Sequence, residues 1–130
     1  MVLCVPAAHR LAARSTVTLA DLHGERLLVA SARGSAYTDL LAQAAEAAGA
    51  KVTLVEARVT GGAALLTELA ELGAVALMPA GTAPRAGIAV VEVTGFTVPL
   101  VLLWPAGRPS AAVARVRRAL GASPGPRASR

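Results

Sequence analysis

Few side chains in this 130-residue chain are of a type that does bond-making chemistry. It holds one cysteine, Cys4, two histidines, His9 and His23, and eight acids. A structural zinc site needs four N, S or O ligands at close spacing. Neither histidine has a ligand-type neighbour at i+3 or i+4, so both read as loop residues and no metal or other cofactor is expected. Covalent catalysis needs a nucleophile, a base and an orienting group. Gly-x-Ser-x-Gly is absent, and Cys4 falls within an apolar run where a packed thiol is expected. Glu46, Glu68 and Glu71 read as solvated acids on helix faces, not as a catalytic pair. The glycines make neither a phosphate-binding nor a dinucleotide fingerprint. The expectation is therefore no enzyme.

What remains is anion recognition. Residues 31–37 and 58–62 are two turns that each follow a strand and precede a helix. In parallel α/β sheets such turns gather at the carboxyl edge, where ligands bind. Each offers free N–H groups and the positive end of a helix dipole. Ser35, Thr38 and Thr60 add hydroxyls, and Arg33 and Arg58 could pair with a carboxylate. The competing reading makes Ser35 only a helix cap and leaves the arginines in solvent.

The elements that would position these turns come from periodicity. Short apolar runs at 2–5, 27–30, 52–57, 75–78, 88–93 and 98–104 read as strands. Residues 6–17 read as irregular, and Thr18–Leu22 as one capped helical turn stopped by Gly24. Ser35 opens a helix with an apolar face of Tyr37, Leu40, Leu41, Ala44, Ala45 and Ala48. A second helix carries Leu65, Leu66, Leu69 and Leu72 and stops at Gly73. A third opens at Pro109-Ser110, with Val113, Val116 and Leu120 inward. Alternating strands and helices predict α/β with a mainly parallel sheet, and strands so apolar predict helices on both faces. Segments 88–93 and 98–104 have no helix between them, so one is expected to run antiparallel or leave the sheet.

Charge narrows the partners. The formal net charge is +5. Residues 1–110 hold eight basic side chains and all eight acids, so the whole excess comes from Arg115, Arg117, Arg118, Arg127 and Arg130. A neutral body with a basic end is not a phosphate-tracking surface, and no direct nucleic-acid contact is expected. No run of about 18 apolar residues would span a bilayer. The opening Met-Val-Leu-Cys-Val-Pro does not read as a secretory signal, and a single cysteine fits a reducing, cytoplasmic setting. Residues 121–130, rich in Gly, Pro, Ser and Arg, read as a disordered basic tail.

The order of segments resembles the effector (substrate)-binding domain of LysR-type transcriptional regulators. Val2-Leu-Cys-Val-Pro-Ala-Ala-His9-Arg-Leu-Ala12 resembles that family's strand and "HPLA" stretch, with Arg10 where its Pro stands. Val17-Thr-Leu-Ala-Asp21-Leu22 resembles its "V-x-L-x-D-L" turn. Arg33-Gly34-Ser35 before a helix ending at Ala47-Ala48-Gly49 fits its pattern. So does Leu69-Ala-Glu-Leu-Gly-Ala-Val75-Ala-Leu-Met-Pro79, although Leu72-Gly73-Ala74 stands for its Gly-x-Gly. Val101-Leu-Leu-Trp104 resembles its late strand.

The resemblance implies one lobe of a type 2 periplasmic-binding-protein-like fold. Residues 2–95 would be the second lobe, and 98–120 the strand and helix that return to the first. Effector contacts would fall on Ala32, Arg33, Ser35, Thr38, Thr60, Pro79 and Ala80. The implied function is effector sensing for a regulator whose DNA-binding domain is not in this chain. A solute-binding lobe of the same fold class and a non-functional gene fragment are the alternatives. The effector would be a small molecule, with a carboxylate favoured. The apolar 98–104 strand, without a first lobe to cover it, would invite a homo-oligomer.

Overall fold

A computed structural model describes residues 1–59, 61–98 and 110–121. The elements are β1 (Val2–Pro6), β2 (Thr16–Val17), β3 (Arg26–Val29), α1 (Ala36–Ala47), β4 (Thr53–Glu56), α2 (Gly62–Leu72), β5 (Ala76–Met78), β6 (Ile88–Val93) and α3 (Ala111–Ala119). The chain divides after Val98 into two compact units. α3 belongs to the second, and its N-cap Ser110 accepts from the Val113 N–H at 3.3 Å. The expected strand 98–104 beyond Val98, and the expected tail beyond Gly121, lie outside the described residues.

In the first unit the strands form two ladders, β2-β6-β1-β5 and β3-β4. A parallel bridge between Leu27 and Val75 joins them, with Leu28 N donating to Val75 O at 2.8 Å and Val75 N to Arg26 O at 2.9 Å. Parallel pairing aligns Arg26–Val29 with Thr53–Glu56. β6 also runs parallel to β2.

The reversed strand is β1, antiparallel to both β5 and β6, with Cys4 opposite Ala76 on one side and Val90 on the other. Of the two segments of which one is expected to run antiparallel or leave the sheet, 88–93 forms β6, antiparallel to β1 and parallel to β2, and 98–104 lies outside the described residues beyond Val98. The reason for the reversal of β1 lies in the connections. Parallel neighbours need a long crossover, usually a helix, whereas reversal needs only turns. After Pro6 the chain makes only turns, closed by His9 N→Pro6 O, Ala12 N→His9 O and Arg14 N→Leu11 O at 2.8, 2.9 and 3.1 Å. It then enters β2, two residues too short for any periodic signal and read above as irregular.

Alternation along the strands divides the core into two clusters. Leu3 and Val5 of β1, Leu27 and Val29 of β3, Leu77 of β5, and Val91 and Val93 of β6 pack with Leu41 and Ala45 of α1. Leu11, Leu19 and Leu22 from the first connections fill in on that side. Cys4, Leu28, Ala76 and Ile88 pack with Leu65, Leu66 and Leu69 of α2. Both faces of the sheet are thus covered, as strands this apolar require.

The 3-10 turn Leu19–Leu22 is held where the Thr-x-x-Asp pattern places it. Asp21 Oδ2 accepts from Thr18 N and Thr18 Oγ1 at 2.8 and 2.9 Å. Those bonds, the backbone one first, hold the Asp21 carboxyl below its usual value. α2 ends at Gly73 in the left-handed region, with φ 58°. Ala74 N then returns to Leu69 O at 3.1 Å, and Ala74 itself is fully buried. One glycine, at the middle of Leu72-Gly73-Ala74, is enough for this turn because only that position needs positive φ.

Candidate functional site

Three parallel strands, β5, β3 and β4, lie side by side and end at one edge of the sheet. The loops that leave them begin at Ala30, Ala57 and Pro79. α1 and α2 begin within this edge, presenting N–H groups that no preceding carbonyl of the helix can accept. A Cβ added to Gly62 would lie 3.7 Å from Met78 Cε, so the start of α2 meets the end of β5 directly.

The central loop carries Ala32, Arg33 and Ser35. Its turn is closed by Ser35 N donating to Ala32 O at 3.2 Å, with Gly34 at φ 90°. Arg33 is exposed and has no ion-pair partner among the described residues. Ser35 is the N-cap of α1, yet its hydroxyl makes no capping bond. Asp39 reaches back instead, its Oδ1 accepting from Gly34 N at 3.1 Å. The Ser35 hydroxyl is therefore not committed to the helix.

Thr38 stands differently. It is 1% exposed, and its Oγ1 donates to Ser31 O at 2.9 Å. The structure places it beneath the loop as a brace. α1 buries Thr38, Leu41 and Ala45, while Tyr37 and Leu40 of the expected apolar face are exposed. A threonine methyl with a satisfied hydroxyl can line a core.

On one flank, Pro79 and Ala80 are exposed. The Pro79 carbonyl already accepts from Thr82 N at 3.3 Å and Thr82 Oγ1 at 2.8 Å. Arg85, farther along this connection, donates from Nη1 to Ala63 O at 2.7 Å and so ties it to the first turn of α2. Thr60 on the other flank lies outside the described residues.

Glu68 corrects the reading of α2. Expected in solvent, it is 4% exposed. Its Oε1 and Oε2 accept from Arg58 N at 3.1 and 3.0 Å, and Oε1 also accepts from Arg58 Nε at 2.8 Å. The Arg58 side-chain bond, then its backbone N–H and its charge, holds the Glu68 carboxyl below its ordinary value against the effect of burial. The same bond pushes the Arg58 guanidinium upward. The signal was in the spacing: Leu65, Glu68, Leu69 and Leu72 share one helical face. Arg58 Nη2 also lies 3.8 Å from Glu71 Oε2. Beside this pair is an open hollow of about 440 Å³ lined by Arg58, Val59, Ala64, Thr67, Glu68 and Glu71.

Away from this edge, Arg10 Nε donates to Glu25 Oε1 at 2.8 Å and Arg10 Nη2 to Asp21 O at 2.8 Å. His9 Nδ1 accepts from Leu11 N at 3.2 Å, which leaves Nε2 to donate to Glu25 Oε2 at 3.1 Å. Both residues clasp the first connection to the start of β3, so Arg10, where the resemblance has proline, makes its own contacts.

The family model for the LysR substrate binding domain matches residues 1–124. The chain belongs to that family, and its fold is of the type 2 periplasmic-binding-protein-like kind. The Synechocystis CcmR regulatory domain, solved in complex with 2-PG, is similar in fold at TM-score 0.61 and 13% identity, over 92% of this chain and 60% of that one. The oxidized form of OxyR is 25% identical at TM-score 0.51, over 72% of this chain and 45% of its own. HinK, a LysR family regulator from Pseudomonas aeruginosa, gives TM-score 0.53 at 14% identity, over 72% and 33%. The chain thus spans less than half the length of OxyR and about three fifths of the CcmR regulatory domain. No curated protein matches its sequence.

Proposed function

We propose that this chain is the second lobe, with the return segment, of a LysR-type effector domain, and that it binds a small anionic effector at the β5-β3-β4 edge. Residues 2–95 make the lobe and 98–120 the return. In the whole regulator, occupancy of this edge biases lobe closure, and that bias passes to a DNA-binding domain outside these residues. The observation that carries this reading is the convergence of three strand-end loops and two helix starts on one edge, in a chain of this family. CcmR, of the same fold, is a regulatory domain that holds a small ligand, 2-PG. A cytoplasmic setting follows from action on a gene. Among the described residues no helix is long and apolar enough to cross a membrane.

Arg33 and the Ser35 hydroxyl are uncommitted polar groups of the central loop, and Pro79 and Ala80 flank it. Thr60 joins them by its place in the sequence, while Thr38 acts beneath. Isothermal titration of the chain with small mono- and dicarboxylates and inorganic phosphate tests the reading. Arg33→Ala should weaken the anion that binds by about tenfold, the worth of one charge-assisted bond. Equal affinity in both proteins removes Arg33 from the site.

A further inference from the structure

Just after β4, Ala57 N donates to Val29 O at 2.9 Å and the next residue, Arg58, is held by a buried carboxylate. A glutamate on the buried face of a helix is costly unless its oxygens are fully used. An alanine or leucine at 68 would extend the apolar face that Leu65 and Leu69 already form. The carboxylate instead reaches across to the first residues after β4, accepting three bonds from Arg58 alone. The main-chain bond fixes the backbone at Arg58, and the Nε bond sets the plane of the guanidinium. Arg58 nevertheless keeps 72% of its side chain exposed, and Nη1 has no partner among the described residues. Nε is anchored to Glu68 and Nη2 lies 3.8 Å from Glu71 Oε2, which leaves Nη1 for a ligand.

We propose that Glu68 is a positioning residue of the effector edge: it holds the chain just after β4 at Arg58 and orients the guanidinium, whose Nη1 receives the anion. This rests on the effector reading above. Two opposing effects make it testable. As a charge, Glu68 lowers the local potential and weakens anion binding, so its removal should tighten binding if charge alone matters. As an anchor, it fixes Arg58 before the ligand arrives, so its removal should weaken binding. The second effect is the one proposed.

The experiment uses the full chain and its Glu68→Gln and Glu68→Ala variants. Amide hydrogen exchange is followed by NMR, and succinate and inorganic phosphate are titrated by calorimetry. The Arg58 amide should exchange at least tenfold faster in both variants, with the β3–β4 ladder amides unchanged. The anion that binds wild type should bind Glu68→Ala at least tenfold more weakly, with Glu68→Gln between the two. Unchanged exchange at Arg58 overturns the tether. Faster exchange with equal or tighter anion binding overturns the positioning role while leaving the effector reading intact. If wild type takes up neither probe, the effector reading of this edge fails and the inference falls with it.

Discussion

Among the described residues, Glu68 and Cys4 are the two buried groups whose ionisation the fold alters, and they shift in opposite directions. Burial pushes the Cys4 thiol up, away from the reactive thiolate. Cys4 should therefore react with a thiol reagent more than about tenfold slower in the native chain than in urea. Equal rates would show that β1 opens freely. For Glu68 the folded carboxyl is held below its ordinary value, so the unfolded chain binds the proton more tightly. Its contribution is complete above the usual glutamate value, about 4.3, and is lost as pH falls below that through the folded value. The stability gap between wild type and Glu68→Gln, read from urea midpoints, should be constant from neutral pH to about 5 and close below about 4. A gap that widens on acidification contradicts the assignment.

At the scale of elements, what was legible followed from period and punctuation. β6 spans the residues that the apolar run 88–93 marks, and α2 stops at Gly73 as expected. Both signals are local, and tertiary context had no reason to overrule them. The rest depended on contacts between distant residues. The reversal of β1 is decided by partners more than 70 positions away, Ala76 and Val90 among them. The burial of Glu68 needed Arg58 to be brought beside it, though its place on the leucine face was already visible. In α1 the threonine displaced Tyr37 and Leu40 from the inner stripe because Ser31 O was there to satisfy it. Of the candidate site, the two turns and their arginines were legible, whereas the tie of Arg58 to Glu68 was not. The turn itself makes a prediction. Gly61 adopts φ 98° and ψ 140°, a region that only glycine occupies without strain. Gly61→Ala should cost about 1–3 kcal/mol in urea unfolding. A cost near zero would mean that the turn relaxes to another path.

For the whole molecule, the two-unit division and the family length bear on assembly. Residues 98–104 are almost wholly apolar, and the chain spans about 60% of the CcmR domain. If the chain is the second lobe and return segment proposed above, this apolar stretch makes the isolated chain self-associate. Sedimentation velocity should show a weight-average mass that rises with concentration, and a concentration-independent monomer would set the idea aside. The central place of β1 also has a consequence in time. During synthesis Val2–Pro6 leaves the ribosome long before Ala76–Val93, yet its two hydrogen-bonding edges are matched only by strands in that later stretch. Until those strands arrive, Val-Leu-Cys-Val is an unpaired apolar ribbon with both edges open, the kind of segment that pairs with other chains. Pro6 limits its length, but slow translation between residues 6 and 76 would lengthen its exposure. Yield of folded protein should depend on the speed of elongation and on chaperones that cover extended apolar segments.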